Sequence, residues 1–350
     1  DRHILEKESK MKVTIWGCRG SMPSPGRDMA KYGGNTSCVQ VEHENNCLIL
    51  DGGSGIQELG NALDPDIPVI NLLLTHLHLD HIMGLGYFKP FYNPKCTVNI
   101  WGPRGSNESL VERLRRYFSP PFFPVRLKEL PAKINIFEID NSAFEISSFR
   151  IQSEYICHPG PTVGYRVECD ASVLCYLPDH EPALGSSDFP LSSEWCSGFN
   201  IAQNADLLLH DGQYSKKGYE RKVGWGHSSM EDAIDFAQLS RVKKMLIFHH
   251  DPLHSDETLE RLFENSTSNK EFDFKLALAR ENDTFVQDCL LYPDLNFKLK
   301  FKSKVDPCSC TGWPPLYDRP EYHCIGRGLQ SSLTLLGFGH RPGQKVEDFA

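Results

Sequence analysis

A short stretch of the chain carries four side chains that can bind metal within six residues. His76, His78, Asp80 and His81 follow directly on the apolar run Val69–Leu74, which predicts a buried strand ending just before them. Imidazole nitrogen suits zinc, iron or manganese, and a carboxylate oxygen suits a hard cation. One short loop cannot direct all four groups at a single tetrahedral ion. The spacing therefore predicts two adjacent divalent ions, with zinc favoured and manganese or iron as alternatives.

This H-x-H-x-D-H motif resembles the signature of the metallo-β-lactamase-fold hydrolases. The resemblance covers roughly Met11 to Val286. It implies an α/β protein built as an αββα sandwich, in which two mixed sheets are covered by helices and a dinuclear site lies at one edge. It also implies that more ligands come from distant strand ends.

The resemblance places the third histidine ligand at His158, which precedes a Pro-Gly turn and a new apolar strand. It places a carboxylate that bridges the two ions at Asp179, after the apolar run 174–177, with His180 and Glu181 as competing side chains. A bridging carboxylate is apt because it holds two cations close together and screens their repulsion.

The last ligand is expected at the end of the apolar run Lys244–Phe248, where His249 and His250 stand. Because strand residues alternate between faces, only one of them can join the site. The proline that follows aligns with the family pattern and favours His249, while His250 stays open. The resulting prediction assigns one ion to His76, His78 and His158 and the other to Asp80, His81 and His249, with Asp179 between them.

Residues around the ligands are expected to support the site or to contact a substrate. Asp51 ends a strand, and its carboxylate is expected to hold the His-rich loop by hydrogen bonds. In the resembled family, the segments corresponding to Gly17–Ser24 and 33–37 line the site floor, so Asn35 and Ser37 are candidate substrate-binding residues. Phe122 belongs to an aromatic and proline-rich segment that could stack on a base, with core packing as the alternative.

Two further segments, around Asp211 and His227, resemble paired elements of the branch that contains ribonuclease Z. In that branch an acidic residue orients a histidine that protonates the leaving oxygen. Asp211 and His227 would take these roles, since a carboxylate beside an imidazole fixes its tautomer. Asp80, His227 and Asp211 are thus the predicted catalytic residues of a dinuclear phosphodiesterase. In it, hydroxide between the ions attacks phosphorus.

The substrate expected from the sequence is a small phosphodiester, foremost a cyclic nucleotide. The formal net charge is −9 and no protruding basic arm is evident in residues 93–137, so we expect no extended nucleic acid as partner. The segment Trp16–Ser21 resembles bacterial cyclic-nucleotide phosphodiesterase-like members of the fold. The alternatives are a ribonuclease Z-like tRNA 3′-processing endonuclease, a lactone or thioester hydrolase, and a metal-stabilised sensor without catalysis.

Bulk properties describe an ordinary globular chain of 350 residues, 40% of them apolar. No apolar run approaches the roughly 20 residues of a membrane span. The 12 cysteines are scattered, several of them inside apolar strands, which favours reduced thiols and a cytoplasmic location. A homodimer is one oligomeric state that nothing in the sequence excludes.

Apolar alternation and capping signals predict many strands first and then strands alternating with helices, which is typical of a layered sandwich. Predicted helices are Glu108–Phe118, Ser229–Ser240 with a serine cap, and Asp256–Glu264. Predicted strands are Lys12–Trp16, Cys38–Glu42, Cys47–Asp51, Val69–Thr75, Thr97–Trp101, Lys133–Ile139, Phe144–Gln152, Val163–Glu168, Ser172–Tyr176, Asp206–His210, Lys244–Phe248 and a final Phe274–Ala277.

Composition divides the chain into three expected parts. Residues 1–10 are polar and charged and are expected to be a leader or an expression remnant. Residues 11–293 form the hydrolase domain, and residues 294–350 are a Cys-, Pro- and Gly-rich extension. Within the extension, Cys308, Cys310, His323 and Cys324 are a weak candidate for a small zinc site.

Overall fold

A computed structural model of the protein describes residues 10–184, 189–190, 192–268, 270–286 and 289–290. All of them lie in the first of two compact units, Asp1–Leu295. The expected N-terminal leader, except Lys10, and the C-terminal extension with its candidate zinc site lie outside the described residues. Those two expectations stay predictions.

The described chain forms strands and α-helices in the order that the apolar pattern indicates. The strands are β1 Lys12–Gly17, β2 Cys38–His43, β3 Asn46–Leu50, β4 Val69–Leu73, β5 Thr97–Pro103, β6 Lys133–Ile139, β7 Ser142–Ile146, β8 Phe149–Tyr155, β9 Val163–Cys169, β10 Ser172–Leu177, β11 Leu207–Asp211, β12 Lys244–Phe248, β13 Lys275–Leu278, β14 Thr284–Val286 and β15 Cys289–Leu290. The helices are α1 Ile56–Ala62, α2 Leu79–Ile82, α3 Leu110–Tyr117, α4 Phe199–Ala202, α5 Lys216–Tyr219, α6 Met230–Leu239 and α7 Asp256–Thr267.

The strands build two mixed sheets. One has eight strands in the order β15-β14-β1-β2-β3-β4-β5-β6, and the other has seven in the order β13-β12-β11-β10-β9-β8-β7. Strands β3 to β6 run parallel in the first sheet, and β10 to β13 run parallel in the second. The remaining pairs are antiparallel, and all but β1–β14 join strands that follow each other in the chain.

Three apolar layers hold the sheets and helices together. Strand β12 shows why: Leu246 and Phe248 pack in the layer between the sheets, while Met245 and Ile247 pack in the layer under the helices. A strand buried on both faces needs such a continuous apolar run. Helices α1 and α3 cover the first sheet, and α6 and α7 cover the second. The predicted αββα sandwich is confirmed.

Two expectations about the strands were wrong. The segment Phe144–Gln152 is a hairpin of β7 and β8, with Ile146 opposite Phe149 and Ser147 at φ 52° in the turn. A serine pair is a weak turn signal compared with Asn-Gly, so the break was missed. The strand predicted at 274–277 is also not the last one, because β14 follows and pairs with β1 in the other sheet.

The predicted serine cap of α6 is confirmed, since the Ser229 side chain accepts a hydrogen bond from the Asp232 amide. No helix in the described part of the chain is long and apolar enough to cross a membrane. The carboxyl ends of β10, β11 and β12 meet at one edge of their sheet because these strands are parallel neighbours. The Val163 amide donates to the Thr75 carbonyl at 3.0 Å, which brings the end of β4 to the same edge.

Candidate metal centre and its proton donor

The backbone of the His-rich motif changes from extended to helical in its middle, and this change directs its side chains toward the same site. His78 is extended, with φ −64° and ψ 152°, and is the N-cap of α2. His76 and His78 therefore follow strand spacing, while Asp80 and His81 lie in the first turn of a helix. His76, Asp80 and His81 are buried, and His78 is exposed at the rim.

One group of ligand atoms comes from His76, His78, His158 and Asp179, all within 4.8 Å of one another. The Nε2 atom of His158 lies 3.1 Å from Nδ1 of His78. The Nε2 atoms of His76 and His158 each lie 3.7 Å from Oδ2 of Asp179. These are the residues that the sequence assigned to the first ion and to the bridge.

A second group comes from Asp80, His81, His249 and Asp179, also within 4.8 Å. Nε2 of His81 lies 2.9 Å, and Nε2 of His249 lies 3.2 Å, from Oδ1 of Asp179. Asp179 thus offers one oxygen to each group, as a bridging carboxylate must.

The competing side chains have other partners. Nε2 of His250 donates to the Ala279 carbonyl at 2.8 Å, away from the ligand groups that His249 joins. Nδ1 of His180 contacts Nε2 of His210 at 2.9 Å beneath the site. Glu181 accepts hydrogen bonds from a neighbouring loop. The structure therefore brings together the seven side chains predicted as ligands and keeps the three competitors out.

The buried donor atoms fit a divalent cation. Nε2 of His76 is buried and has no hydrogen-bond partner among the described residues. A buried polar atom left without a partner costs about 1–3 kcal/mol, so such atoms are rare unless an ion or water serves them. Nε2 of His81 and Oδ1 of Asp179 lie 2.9 Å apart within the second group of ligand atoms. This convergence of imidazole nitrogens and carboxylate oxygens matches a zinc, manganese or iron site.

Electrostatics point the same way. Burial lowers the pKa of His76 well below its ordinary value. Burial also opposes protonation of His81 and His249, but the carboxylates of Asp179 and Asp80 outweigh it and raise both pKa values, that of His249 to about 9. The carboxylates therefore draw positive charge into this pocket, which is the property of a cation site.

Asp51 supports the motif as the sequence predicted. It is fully buried just past β3, and its carboxylate accepts hydrogen bonds from the Thr75 amide at 2.7 Å and the Tyr176 hydroxyl at 3.0 Å. Its Oδ2 also lies 2.7 Å from Nδ1 of His81. This contact fixes the His81 ring so that Nε2 faces Asp179.

The residues predicted to bind substrate have different positions. Ser37 is fully buried, so it has no surface with which to contact a substrate in this structure. Asn35 uses its side chain to accept from Ser54 and to donate to Glu281, which holds the turn after β3. We therefore assign the Asn35 side chain to loop support. Phe122 is 73% exposed on the segment that follows α3.

A third group joins Asp211, His227 and His249. Nδ1 of His227 lies 2.6 Å from Oδ2 of Asp211, and the His227 ring stacks on the His249 ring with centroids 4.9 Å apart. Oδ1 of the fully buried Asp211 accepts the amides of Gln213 at 2.9 Å and Ser228 at 3.2 Å. The pair predicted as proton donor and orienting carboxylate is therefore assembled beside the metal ligands.

Backbone groups at Gly20, Ser21 and Gly226 complete the site. The Ser21 amide donates to Oδ2 of Asp80 at 2.7 Å. Gly20 is needed because a Cβ there would lie 2.4 Å from the His249 ring, and Gly226 because a Cβ would lie 2.4 Å from Nδ1 of His158. The glycine-rich segment after β1 suggested such an approach, but nothing local to Gly226 indicated its partner.

Two layered sheets with these ligand clusters at one edge define a metal-dependent hydrolase. The chain belongs to the family described as the beta-lactamase superfamily domain, whose match covers residues 56–250.

The curated relatives include the ribonuclease Z of Haloarcula marismortui, 24% identical over 68% of this chain and 86% of that protein. They also include the ribonuclease Z of Metallosphaera sedula, 26% identical over 68% of this chain and 88% of that protein. Together with the family match, these relatives support a metal-dependent phosphodiesterase or nuclease.

Solved structures agree on the fold. A metallo-beta-lactamase fold protein of Bacillus subtilis, YhfI, superposes with a TM-score of 0.58 at 17% identity, covering 79% of this chain and 99% of its own. The short form of human tRNase Z has a TM-score of 0.56 at 20% identity, covering 79% and 100%. At these identities the likeness establishes the fold alone.

The expected partner was wrong. The sequence led us to expect a small phosphodiester and no extended nucleic acid, yet the curated relatives are named ribonuclease Z, an enzyme that acts on RNA. The expectation rested on the net charge of the whole chain and on the lack of an evident basic arm in residues 93–137. Net charge sums over every surface, whereas a nucleic acid contacts one face, so a global value of −9 does not exclude an RNA substrate.

Proposed function

We propose that the protein is an RNA endonuclease of the ribonuclease Z type that hydrolyses a phosphodiester bond in tRNA precursors. The observation that carries this proposal is the Asp211–His227 contact at 2.6 Å beside the ligand clusters. Hydrolysis of an RNA phosphodiester expels a ribose oxygen as an alkoxide, which is a poor leaving group and needs a proton. Curated relatives named ribonuclease Z support the same choice of substrate.

The seven clustered side chains would hold two divalent ions, with zinc as the first candidate and manganese or iron as alternatives, because the mixed nitrogen and oxygen donors suit all three. Bound there, such ions supply an activated water and stabilise charge on phosphate oxygens. The residues predicted as ligands and as bridge keep their assignments in this proposal.

His227 acts on the leaving oxygen. Its Nδ1 is engaged by Asp211, so the proton that it transfers is the one on Nε2. Asp211 holds the ring in this tautomer and is itself held by three backbone amides. Because the attacking group is water and not the ribose 2′-hydroxyl, cleavage should leave no 2′,3′-cyclic phosphate.

The test is cleavage of a tRNA precursor carrying a 3′ trailer by purified protein supplied with zinc or manganese. We expect one main cut, with linear phosphate and hydroxyl ends in the product analysis. Asp179→Asn should abolish cleavage, while Asp66→Asn, an exposed aspartate in the loop before β4, should leave it unchanged. Metal-loaded protein that cleaves no RNA would overturn the proposal.

A further inference from the structure

Residues 215–226, called here the basic loop, connect β11 to the segment that carries His227. The loop contains four basic side chains and one acidic side chain, in a protein whose formal net charge is −9. Lys216, Lys217 and Arg221 are exposed, and Lys222 is half-buried. Lys216 pairs with Asp232, whereas Lys217 and Arg221 form no ion pair with any residue that the structure describes.

The basic loop is fastened to the catalytic site. Glu181 is buried and accepts hydrogen bonds from the Tyr219 hydroxyl at 2.7 Å and from the amides of Gly224 and Gly226, both at 2.8 Å. The Gly226 carbonyl in turn accepts from Nδ1 of His158 at 2.8 Å. The loop therefore keeps a defined position relative to the metal ligands and the proton donor.

An exposed aromatic ring and a cation lie next to His227. Trp225, two residues before His227, is 60% exposed. Nζ of Lys222 lies 3.9 Å from the Tyr214 ring centroid and 5.9 Å from the Trp225 ring. The Tyr214 ring packs edge-on against His227 with centroids 5.8 Å apart. The Lys222 ammonium, which also lies 3.8 Å from Oδ2 of Asp251, and an indole face are thus presented near His227.

We propose that the basic loop is an RNA-docking surface, in which Lys217 and Arg221 contact backbone phosphates and Trp225 stacks on an unpaired base near the cleaved bond. This inference rests on the proposed function and deepens it. Single-stranded nucleic acid is bound by this combination of basic groups along the backbone and aromatic faces under the bases. Charge complementarity and continuity with His227 favour RNA over an uncharged partner.

The test compares three variants, Lys217→Ala/Arg221→Ala, Trp225→Ala and Trp225→Phe, with the wild type on a tRNA precursor with a single-stranded 3′ trailer. The measured quantity is kcat/KM as a function of KCl concentration. We expect the double variant to lose about tenfold and its log–log salt slope to shrink by about 1.5, because two phosphate contacts are removed. Trp225→Ala should lose about tenfold, and Trp225→Phe should keep most of the activity because a stacking face remains.

The matched control is Lys95→Ala/Lys133→Ala. Both lysines are exposed at the amino ends of β5 and β6, and these strands run parallel to β4, so the pair lies at the edge opposite the site. It should keep both kcat/KM and the salt slope.

The outcomes separate the two proposals. If the wild type cleaves the RNA but the loop variants match it in kcat/KM and salt slope, the inference is overturned and the proposed function stands. If the double variant and the control lose kcat/KM to the same extent, the change in the net charge of the protein is responsible, and the inference is again overturned. If the wild type neither binds nor cleaves the RNA, both proposals fail.

Discussion

Replacing His227 by alanine asks whether the protein protonates its leaving group. The ring is held by a 2.6 Å contact to Asp211, a fully buried carboxylate fixed by three backbone amides. A general acid held in this way contributes about 10²–10⁴-fold to rate, or about 2.7–5.4 kcal/mol of barrier. We expect His227→Ala to lower kcat on RNA by that factor.

The assay uses two substrates that differ in their need for a proton. Cleavage of the RNA expels a ribose alkoxide, which needs a proton. Cleavage of bis(p-nitrophenyl) phosphate expels p-nitrophenolate, a stable phenolate that needs no acid. The same variant should therefore lose less than about tenfold on the chromogenic ester, since the acid contribution is absent there. Asp211→Asn should show the same selective loss, and the double variant should be no worse than His227→Ala because the two residues act as a unit.

An equal loss on both substrates would refute the reasoning. His227 belongs to a third cluster with Asp211 and His249, so a role as metal ligand makes a distinct prediction. In that case the variant would bind less metal, and kcat would fall by a similar factor on both substrates. Metal content measured by mass spectrometry on the same samples separates the two roles.

Three other substitutions test the site and its supports. Asp179→Asn should lose at least one of two bound metal equivalents, because its oxygens face both clusters; full metal content by elemental analysis would contradict the bridging assignment. Glu181→Gln should lower the free energy of unfolding by about 1–3 kcal/mol in urea titration, because the side-chain NH2 of glutamine would face a hydrogen-bond donor of the loop where an oxygen now accepts. A change below about 0.5 kcal/mol would show that other contacts hold the loop. Gly226→Ala should reduce metal content and stability, since its φ is 84° and a Cβ would lie 2.4 Å from Nδ1 of His158. Gly224→Ala is its control, because φ is 86° there but no atom lies within 4 Å of the added Cβ; equal effects would mean that backbone strain alone is responsible.

Much of the site could be predicted because several of its metal-binding residues lie close together in the sequence. The types and spacing of His76, His78, Asp80 and His81 indicate metal binding without any fold. Alternation predicted that one of His249 and His250 joins the site, and the family pattern favoured His249. The structure gives Nε2 of His249 a 3.1 Å contact to Asp80, whereas His250 donates to the Ala279 carbonyl.

Other features needed the fold. Ser37 and Asn35 stand in a polar, glycine-rich segment that reads as accessible, yet one is buried and the other is bonded to Glu281, more than 200 residues along the chain. The hairpin turn at Ser147 and the return of β14 to the first sheet also depend on pairing between distant strands. No local pattern encodes such partners.

The amino-acid sequence by itself determined the layered fold and the donor atoms, because apolar periodicity selects strand and helix and because only certain side chains bind metal. The tertiary structure alone decided that Glu181, a competing candidate for the bridge, instead fastens the basic loop beside His227. It also placed the Lys222 ammonium near the reacting groups of an acidic protein. Each of these depends on distances between residues far apart in the chain, and such distances exist only once the sheets have packed.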